Sequence, residues 1–482
     1  MTALLDGATV KPTNHNTQST PSVVCISSHF LTDRLILHSS FLPTLAAGCR
    51  PLVTSEAITE PAFPQDHPQR DAFHPVPLPQ GSPGALRQAR HLATHTWDHK
   101  GLSASRASMW RHRSGPAAKP RDLLMRGLSK PLAALGLENW LERKVERALV
   151  RYGAQAEIRD WLQAERAALV VIMNPFLDPY QQVAAAARSL GLPIVAFITS
   201  WDNISTKSRM VFDYDAYLVW SDAMKAELHQ FYPRSVKRPV FVTGSPIYDA
   251  FCQPRFEQSR ESFCQMYGLN PKRPILLYSL GSPRFIREDY GLRPFLTAQA
   301  QTPELQNAQV IIRLHPGHGE AKVTELENIR RDFPHAVIQS PQKHWQRVPF
   351  QSEEGIREWI SSVRHADVLI NLSSTMAVDA AYFDHPVVNI NFDPEPGGPN
   401  QTMIKEINQS WNHFRPICES GGLWLASDMN EVIQATVAYL RDPSLHRAGR
   451  RKMVQHVCGP VDGQAGRRMA EACLSLLTTV KT

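Results

Sequence analysis

Two rhythms of apolar and polar positions alternate along the chain. Short unbroken apolar runs read as buried strands, and stretches with apolar residues three and four apart read as helices. The first run, residues 22–27, leads through a polar loop into a helical pattern that ends near Ala47. A second short strand covers residues 51–54. This β-α-β opening predicts an α/β domain with a parallel sheet.

The rhythm then breaks. Eight prolines within residues 51–83 predict an exposed loop, because proline cannot continue a helix or a sheet ladder. Between Leu123 and Leu169 apolar positions return at helical spacing, among them Leu132, Leu135, Leu137, Trp140, Leu141 and Val145. Strand signals resume at residues 169–173, 193–199, 217–220 and 238–243, with a helix over 178–190 stopped by Gly191 and Pro193. A second series of strands covers residues 274–279, 309–313, 336–339, 367–371 and 386–391, and residues 430–478 read as closing helices. The expected fold class is α/β: two Rossmann-like parallel-sheet domains facing a cleft. The expected divisions are a disordered tail at 1–20, a first, acceptor-side domain at 21–255 and a second, nucleotide-donor domain at 256–482 with the C-terminal helices. Residues 55–160 carry the proline-rich loop and a basic helical insertion within the first domain.

Composition narrows the class. With 482 residues, 43% hydrophobic and 20% charged, the chain can bury a core and is not mostly disordered. No apolar run approaches the roughly 18 residues that would span a bilayer. The first twenty residues lack the apolar core of a signal peptide, so a cytoplasmic location is expected. The seven cysteines include no C-x-x-C pair, which predicts free thiols rather than disulfides or a zinc site. The net charge of +7 is uneven: residues 87–151 hold 14 Lys and Arg against five acids, a net +9. That segment reads either as a solvated face or as a peripheral contact with an anionic membrane surface on the inner face of the plasma membrane. In the second case Trp110, Leu123, Leu124, Met125 and Trp140 would enter the interface. Nucleic acid is not an expected partner, because stacking aromatics are few and no helix-turn-helix or zinc motif is present.

In parallel α/β sheets, ligands bind at the carboxyl ends of the strands. Four loops after predicted strands carry chemistry there. Ser200-Trp201-Asp202-Asn203, with Lys207 and Arg209 beyond, offers a carboxylate base and cations, although Asp202 could equally cap a turn. Gly281-Ser282-Pro283-Arg284 offers backbone N–H groups and a charge for a diphosphate. Arg313-Leu314-His315-Pro316-Gly317-His318 clusters cationic groups directly after a strand. Asn371-Leu372-Ser373-Ser374-Thr375 opens a helix with three hydroxyls, and Asp379 follows one turn later. No G-x-G-x-x-G or P-loop motif is present, which argues against a dehydrogenase or a P-loop NTPase. The pair Asp213-Tyr214-Asp215 leads straight into a strand and is not expected to hold metal.

The pattern Arg313-x-His315-Pro316, followed by Ala366-Asp367 and Asn371-x-Ser373-Ser374 with Val378-Asp379, resembles the second domain of GT-B fold transferases. The resemblance is to those of bacterial surface-polysaccharide synthesis and the related CDP-glycerol glycerophosphotransferases, and it covers residues 165–395. The post-strand loops and the resemblance together make Ser282, Arg284, Arg313, Ser373, Ser374, Thr375 and Asp379 the expected donor contacts and Asp202 and His315 the expected catalytic residues. His29, Trp201, Asn203 and Lys207 would lie on the acceptor side. Where the glycerophosphotransferases carry a Trp-His-Gly loop followed by lysine, this chain has Trp201-Asp202-Asn203 and Lys207. The aspartate favours a sugar transferase, in which a carboxylate base is common. The expected activity is metal-independent transfer from a nucleotide-sugar co-substrate to a saccharide or lipid-linked acceptor, with no other cofactor. A glycerophosphotransferase, a non-hydrolysing sugar-nucleotide epimerase and a catalytically degenerate binding scaffold are the alternatives.

Overall fold

The computed structural model describes residues 20–27, 30–55, 58, 63, 69–74, 81–283, 286–315, 317–318, 320–340 and 352–479. Its strands form two sheets. The first contains β1 (Ser22–Ile26), β2 (Arg50–Thr54), β3 (Phe73–His74), β4 (Ala167–Ile172), β5 (Ile194–Phe197), β6 (Ala216–Val219) and β7 (Val240–Val242). Their spatial order is β3-β2-β1-β4-β5-β6-β7. The second contains β8 (Ile275–Ser279), β9 (Gln309–Arg313), β10 (Ala336–Gln339), β11 (Val368–Asn371), β12 (Val387–Ile390) and β13 (Trp424–Ala426), ordered β10-β9-β8-β11-β12-β13.

All pairings between these strands are parallel. A parallel sheet is covered by helices on both faces, so its central strands read as continuous apolar runs rather than alternations. Leu169, Val170, Val171 and Ile172 in β4 and Val368, Leu369 and Ile370 in β11 are accordingly buried throughout. The strand order reverses between β1 and β4 and again between β8 and β11. Loops leaving adjacent strands in opposite directions open a crevice at such a point.

Two strands escaped the sequence reading. β3 lies inside the proline-rich stretch and pairs with β2 only through Val53–Phe73 and Thr54–His74. β13 is a three-residue edge strand. Neither is long enough to stand out as an apolar run.

Helices fill the chain between β3 and β4, at Gly84–Asp98, Ala104–Met109, Pro120–Ala134, Glu138–Ala148 and Ala156–Ala164. The Glu138–Ala148 helix buries Leu141 and Val145, but Leu135 and Trp140 are 71% and 53% exposed. Part of the helical apolar pattern therefore faces water rather than a core. Glu142 on this helix pairs with Arg209 at 2.7 Å, with both side chains buried. The Arg209 guanidinium also lies over Trp97 and Tyr232, 4.0 and 3.7 Å from their ring centres. Arg209 thus fastens the helices to the first sheet and is not available to a phosphate. Asp213 and Asp215 are likewise occupied, by Arg238 at 2.9 Å and Arg188 at 3.2 Å.

The helices also bridge the two halves. Ser105 bonds the side chain and backbone of Asn412, and Ser108, Arg111 and His112 meet Glu406. The three closing helices are Met429–Arg441, Arg447–Cys458 and Ala465–Thr479. The last of these returns to the first half. A side chain at Gly48 would strike Leu474, and one at Gly466 would strike Ser39. Asp249, in the crossover between the sheets, accepts the Ala465 and Gly466 N–H groups at 3.0 and 2.7 Å and so caps that helix. All seven cysteines are free thiols. Among the described residues no helix is long and apolar enough to cross a membrane.

Candidate active site

The loop after β5 reaches the second half. Trp201 is buried edge-on against His413, with ring centres 5.1 Å apart, and lies 6.4 Å from Phe414. Beside it the Asp202 carboxylate accepts hydrogen bonds from Ser200 Oγ at 2.5 Å and Thr206 Oγ1 at 3.1 Å. Burial works against its ionisation, but His413, Lys207 and the two hydroxyls outweigh burial and hold its pKa below the usual carboxylate value. Burial pushes His413 itself down to about 4, so at neutral pH Lys207 and the hydroxyls carry the stabilisation. Asn203 is buried at the start of the short helix Asn203–Thr206. Lys207 is exposed, and its carbonyl accepts Arg106 Nη1 at 2.7 Å.

Glu227, on the helix Asp222–Phe231, adds a second carboxyl group. Burial pushes it up to about 7, with the Asp202 charge adding to the rise and a Ser205 hydrogen bond opposing it. The loop thus places an ionised carboxylate near a protonatable one, an arrangement suited to general acid–base work.

On the second sheet, several sequence candidates turn out to be committed elsewhere. The Gly281 N–H donates to Glu288 at 3.0 Å, and a side chain at 281 would collide with that carboxylate. The N–H is therefore not free for a diphosphate. Burial pushes Glu288 up to about 8, and nearby Asp289 adds to the rise while the Gly281 bond opposes it. Ser282 lies in the same loop, half-buried. Arg284 and His29 lie outside the described residues.

Arg313 points back along the sheet. Its guanidinium donates to Gln339 Oε1 at 2.6 Å and Ser362 Oγ at 3.4 Å, so it ties β9 to its neighbours instead of reaching a donor. His315 Nδ1 accepts the Gly317 N–H at 2.9 Å. Pro283 lies 3.4 Å from where a Gly317 Cβ would stand, so the loops after β8 and β9 touch.

In the loop after β11, Ser373 adopts φ +48°, held by two asparagines. Its N–H donates to Asn389 Oδ1 at 2.7 Å and its hydroxyl to Asn408 Oδ1 at 2.9 Å. That hydroxyl is spent on the turn. Ser374 Oγ accepts the Met376 N–H at 3.3 Å, which leaves its own proton to donate, and Thr375 is exposed at the head of the helix Met376–Tyr382.

One turn on, Asp379 is buried and accepts the Tyr248 hydroxyl at 2.9 Å. Burial pushes it up to about 6 against the pull of Tyr248, Arg34, Trp359 and Arg313. Arg34, on the helix Phe30–Leu37 that follows β1, lies 4.6 Å over the Trp359 ring, and burial draws it down to about 10. Asp379 is therefore a buried junction between the first half, the crossover and the second half, not an open donor contact.

The sequence reading missed Arg34, Tyr248, Glu227, Glu288 and His413. Arg34 lies on the helix Phe30–Leu37, where the sequence predicted a polar loop, and its closeness to the end of β1 could have marked it by position. Glu227 lies on a helix, and Glu288 and His413 lie well past the nearest strand end, with no motif to mark them. Among the described residues no three His, Cys, Asp or Glu side chains gather as a metal site.

The geometry defines the class first: two facing α/β domains of the GT-B type, with a polar cleft at the carboxyl ends of both sheets. Solved structures share this architecture over nearly the whole chain. The S. aureus MnaA–UDP co-structure matches with a TM-score of 0.54 and 11% identity, covering 96% of this chain and 98% of that one. A putative UDP-N-acetylglucosamine 2-epimerase from Listeria monocytogenes matches with 0.54 and 12%, covering 95% and 97%. A glycosyltransferase from Rickettsia africae matches with 0.50 and 8%, covering 96% and 99%. At such identities the likeness establishes the fold. No protein-family model matches the chain, and no curated protein sequence matches it.

Proposed function

We propose that the protein is an enzyme acting on a nucleotide-diphosphate sugar, and that it transfers the sugar to a surface-polysaccharide or lipid-linked acceptor at the inner face of the plasma membrane. The observation that carries this reading is Asp202, held ionised by Lys207 and the Ser200 and Thr206 hydroxyls in the loop after β5, whose Trp201 packs against His413 of the second half. In the transfer, Asp202 accepts the proton of the acceptor hydroxyl while that oxygen bonds to the anomeric carbon. The bond from that carbon to the diphosphate breaks, and the nucleoside diphosphate leaves with the electron pair. Ser374, Thr375 and His315, with Arg284 and Ser282, are the groups proposed to meet the diphosphate charge.

A second reading, a sugar-nucleotide epimerase, is favoured by the full-length likeness to the Listeria 2-epimerase and by the Asp202–Glu227 carboxyl pair. A thermal-shift panel of UDP, CDP, GDP and TDP, followed by incubation of the matching nucleotide sugars and CDP-glycerol, decides between them. A ligand at 100 times its dissociation constant adds about 2.7 kcal/mol of stability. Nucleotide release that requires an acceptor is the expected result. Interconversion of a nucleotide sugar without acceptor would establish the epimerase, and binding without turnover would establish a scaffold. No shift with any nucleotide would overturn the reading.

A further inference from the structure

A cavity of about 960 Å³ lies against the helix Glu138–Ala148, away from the cleft. Its walls include Arg188, Asp213, Arg234 and Arg238, all of which precede β5, β6 or β7 in the chain. The cavity therefore opens at the amino edge of the first sheet, opposite the carboxyl edge where the candidate active site lies. Three wall arginines are neutralised: Arg188 by Asp215, Arg234 by Glu146 and Arg238 by Asp213. Arg143, Arg147, Arg151 and Lys237 are exposed, and none of them forms an ion pair among the described residues. Four uncompensated cations around one concavity form a site for a multiply charged anion.

The surroundings indicate where that anion comes from. Of eleven large apolar side chains exposed among the described residues, Trp140, Tyr152 and Val236 are chain neighbours of wall residues, and Leu123, Leu124, Leu128 and Leu135 lie on the helical segment that leads into the cavity-lining helix. The Pro120–Ala134 helix buries Ser129 and Ala133 while Leu124 and Leu128 stand 58% and 49% exposed. Ser129 and Ala133 face the protein and Leu132 is half-buried against the core, while Leu123, Leu124 and Leu128 face outward. Lys119 and Lys130 on this stretch, and Lys144 beside Trp140, add exposed cations among the leucines. A soluble anion would need the cations but not the leucines.

We propose that this face docks on an anionic lipid bilayer, with a phosphate-bearing headgroup in the cavity and Leu124, Leu128, Leu135 and Trp140 entering the interface. The cleft at the far edge then stays open to nucleotide. The inference deepens the membrane side of the proposed function, whose nucleotide binding is tested separately in the cleft and does not depend on it.

The test is sedimentation of the full-length protein with phosphatidylcholine vesicles, with and without phosphatidylglycerol, at low and raised salt. The expected result is binding to the anionic vesicles alone, weakened by salt. Arg143→Glu with Arg147→Glu should weaken that binding by at least about tenfold, given the contribution of each basic residue near an anionic surface. Leu124→Ser with Leu128→Ser should weaken binding that persists at raised salt. An unchanged thermal midpoint shows that each variant is folded. Equal binding to neutral and anionic vesicles, or unchanged binding of the arginine variant, would overturn the proposal. So would binding of inorganic pyrophosphate or of an oligonucleotide, lost in the arginine variant, without any vesicle binding.

Discussion

At the carboxyl edge of the first sheet, Arg34 and Glu227 are enclosed and shifted in pKa, and Asp202 is held ionised by Lys207 and two hydroxyls. At the amino edge, Arg143, Arg147 and Lys237 stand in water with no ion pair among the described residues. A charge removed from water must be paired, hydrogen-bonded or neutralised, so the buried groups report on one another. An exposed cation keeps its hydration and remains available to whatever anion arrives. The first edge is thus built for chemistry among its own groups and the second for capture. Arg209, close in sequence to the first edge, obeys the buried rule but serves structure, which shows that burial alone does not mark a site.

The sharpest way to break this comparison is Asp202→Asn. Asparagine keeps the size and an oxygen to accept from Ser200, loses the acceptor for Thr206, and removes the basicity. Turnover should fall by about 10²–10⁴-fold with donor affinity little changed. Near-normal turnover would make Asp202 a turn-former.

Arg209→Met leaves Glu142 charged and buried, and should cost about 3–5 kcal/mol in a urea unfolding experiment. Adding Glu142→Leu should recover much of that. A cost below about 1 kcal/mol would show that the pair does not anchor the helices.

Ser374→Ala and His315→Ala should each weaken nucleotide binding by about 1–3 kcal/mol, as read by calorimetry. Unchanged affinity in both would move the diphosphate away from the loops after β9 and β11.

The pH response sharpens the contrast further. Asp379, Glu227 and Glu288 titrate near 6, 7 and 8, above their unfolded values of 3.8 and 4.5. The folded chain therefore holds protons that the unfolded chain has released. Stability from these groups is complete below about pH 4 and declines as pH rises to 8. His413, depressed from 6.5 to about 4, acts in the opposite sense and loses stability as pH falls from 6.5 to 4. Glu288→Gln should flatten the decline at its upper end, between pH 7 and 8. An unaltered slope there would show that Glu288 is not the group responsible. The smallest effect belongs to the amino edge, where Arg143→Ala should change stability by less than about 0.5 kcal/mol.

Much of the architecture was legible before any coordinates. β1, β9 and β10 coincide with their predicted ranges to within a residue, because the middle of a strand in a helix-covered parallel sheet is apolar on both faces or nearly so. The post-strand loops were legible for the same reason: a break in the run marks the strand's end. What those loops do with their side chains was not legible. Helical spacing could not separate Leu141, which is buried, from Trp140, which faces water, since either face of a helix carries the same period.

The chain by itself determined two parallel α/β halves and the polar segments at their carboxyl edges, because unbroken apolar runs have no other low-energy disposition in water. Only the tertiary structure decided which polar groups remain free. Ser373 is spent on Asn408, Arg313 on Gln339 and Asp379 on Tyr248, partners 35, 26 and 131 residues away. A hydrogen bond depends on approach within about 3 Å. Local periodicity carries no record of which distant residue the fold will bring to that distance.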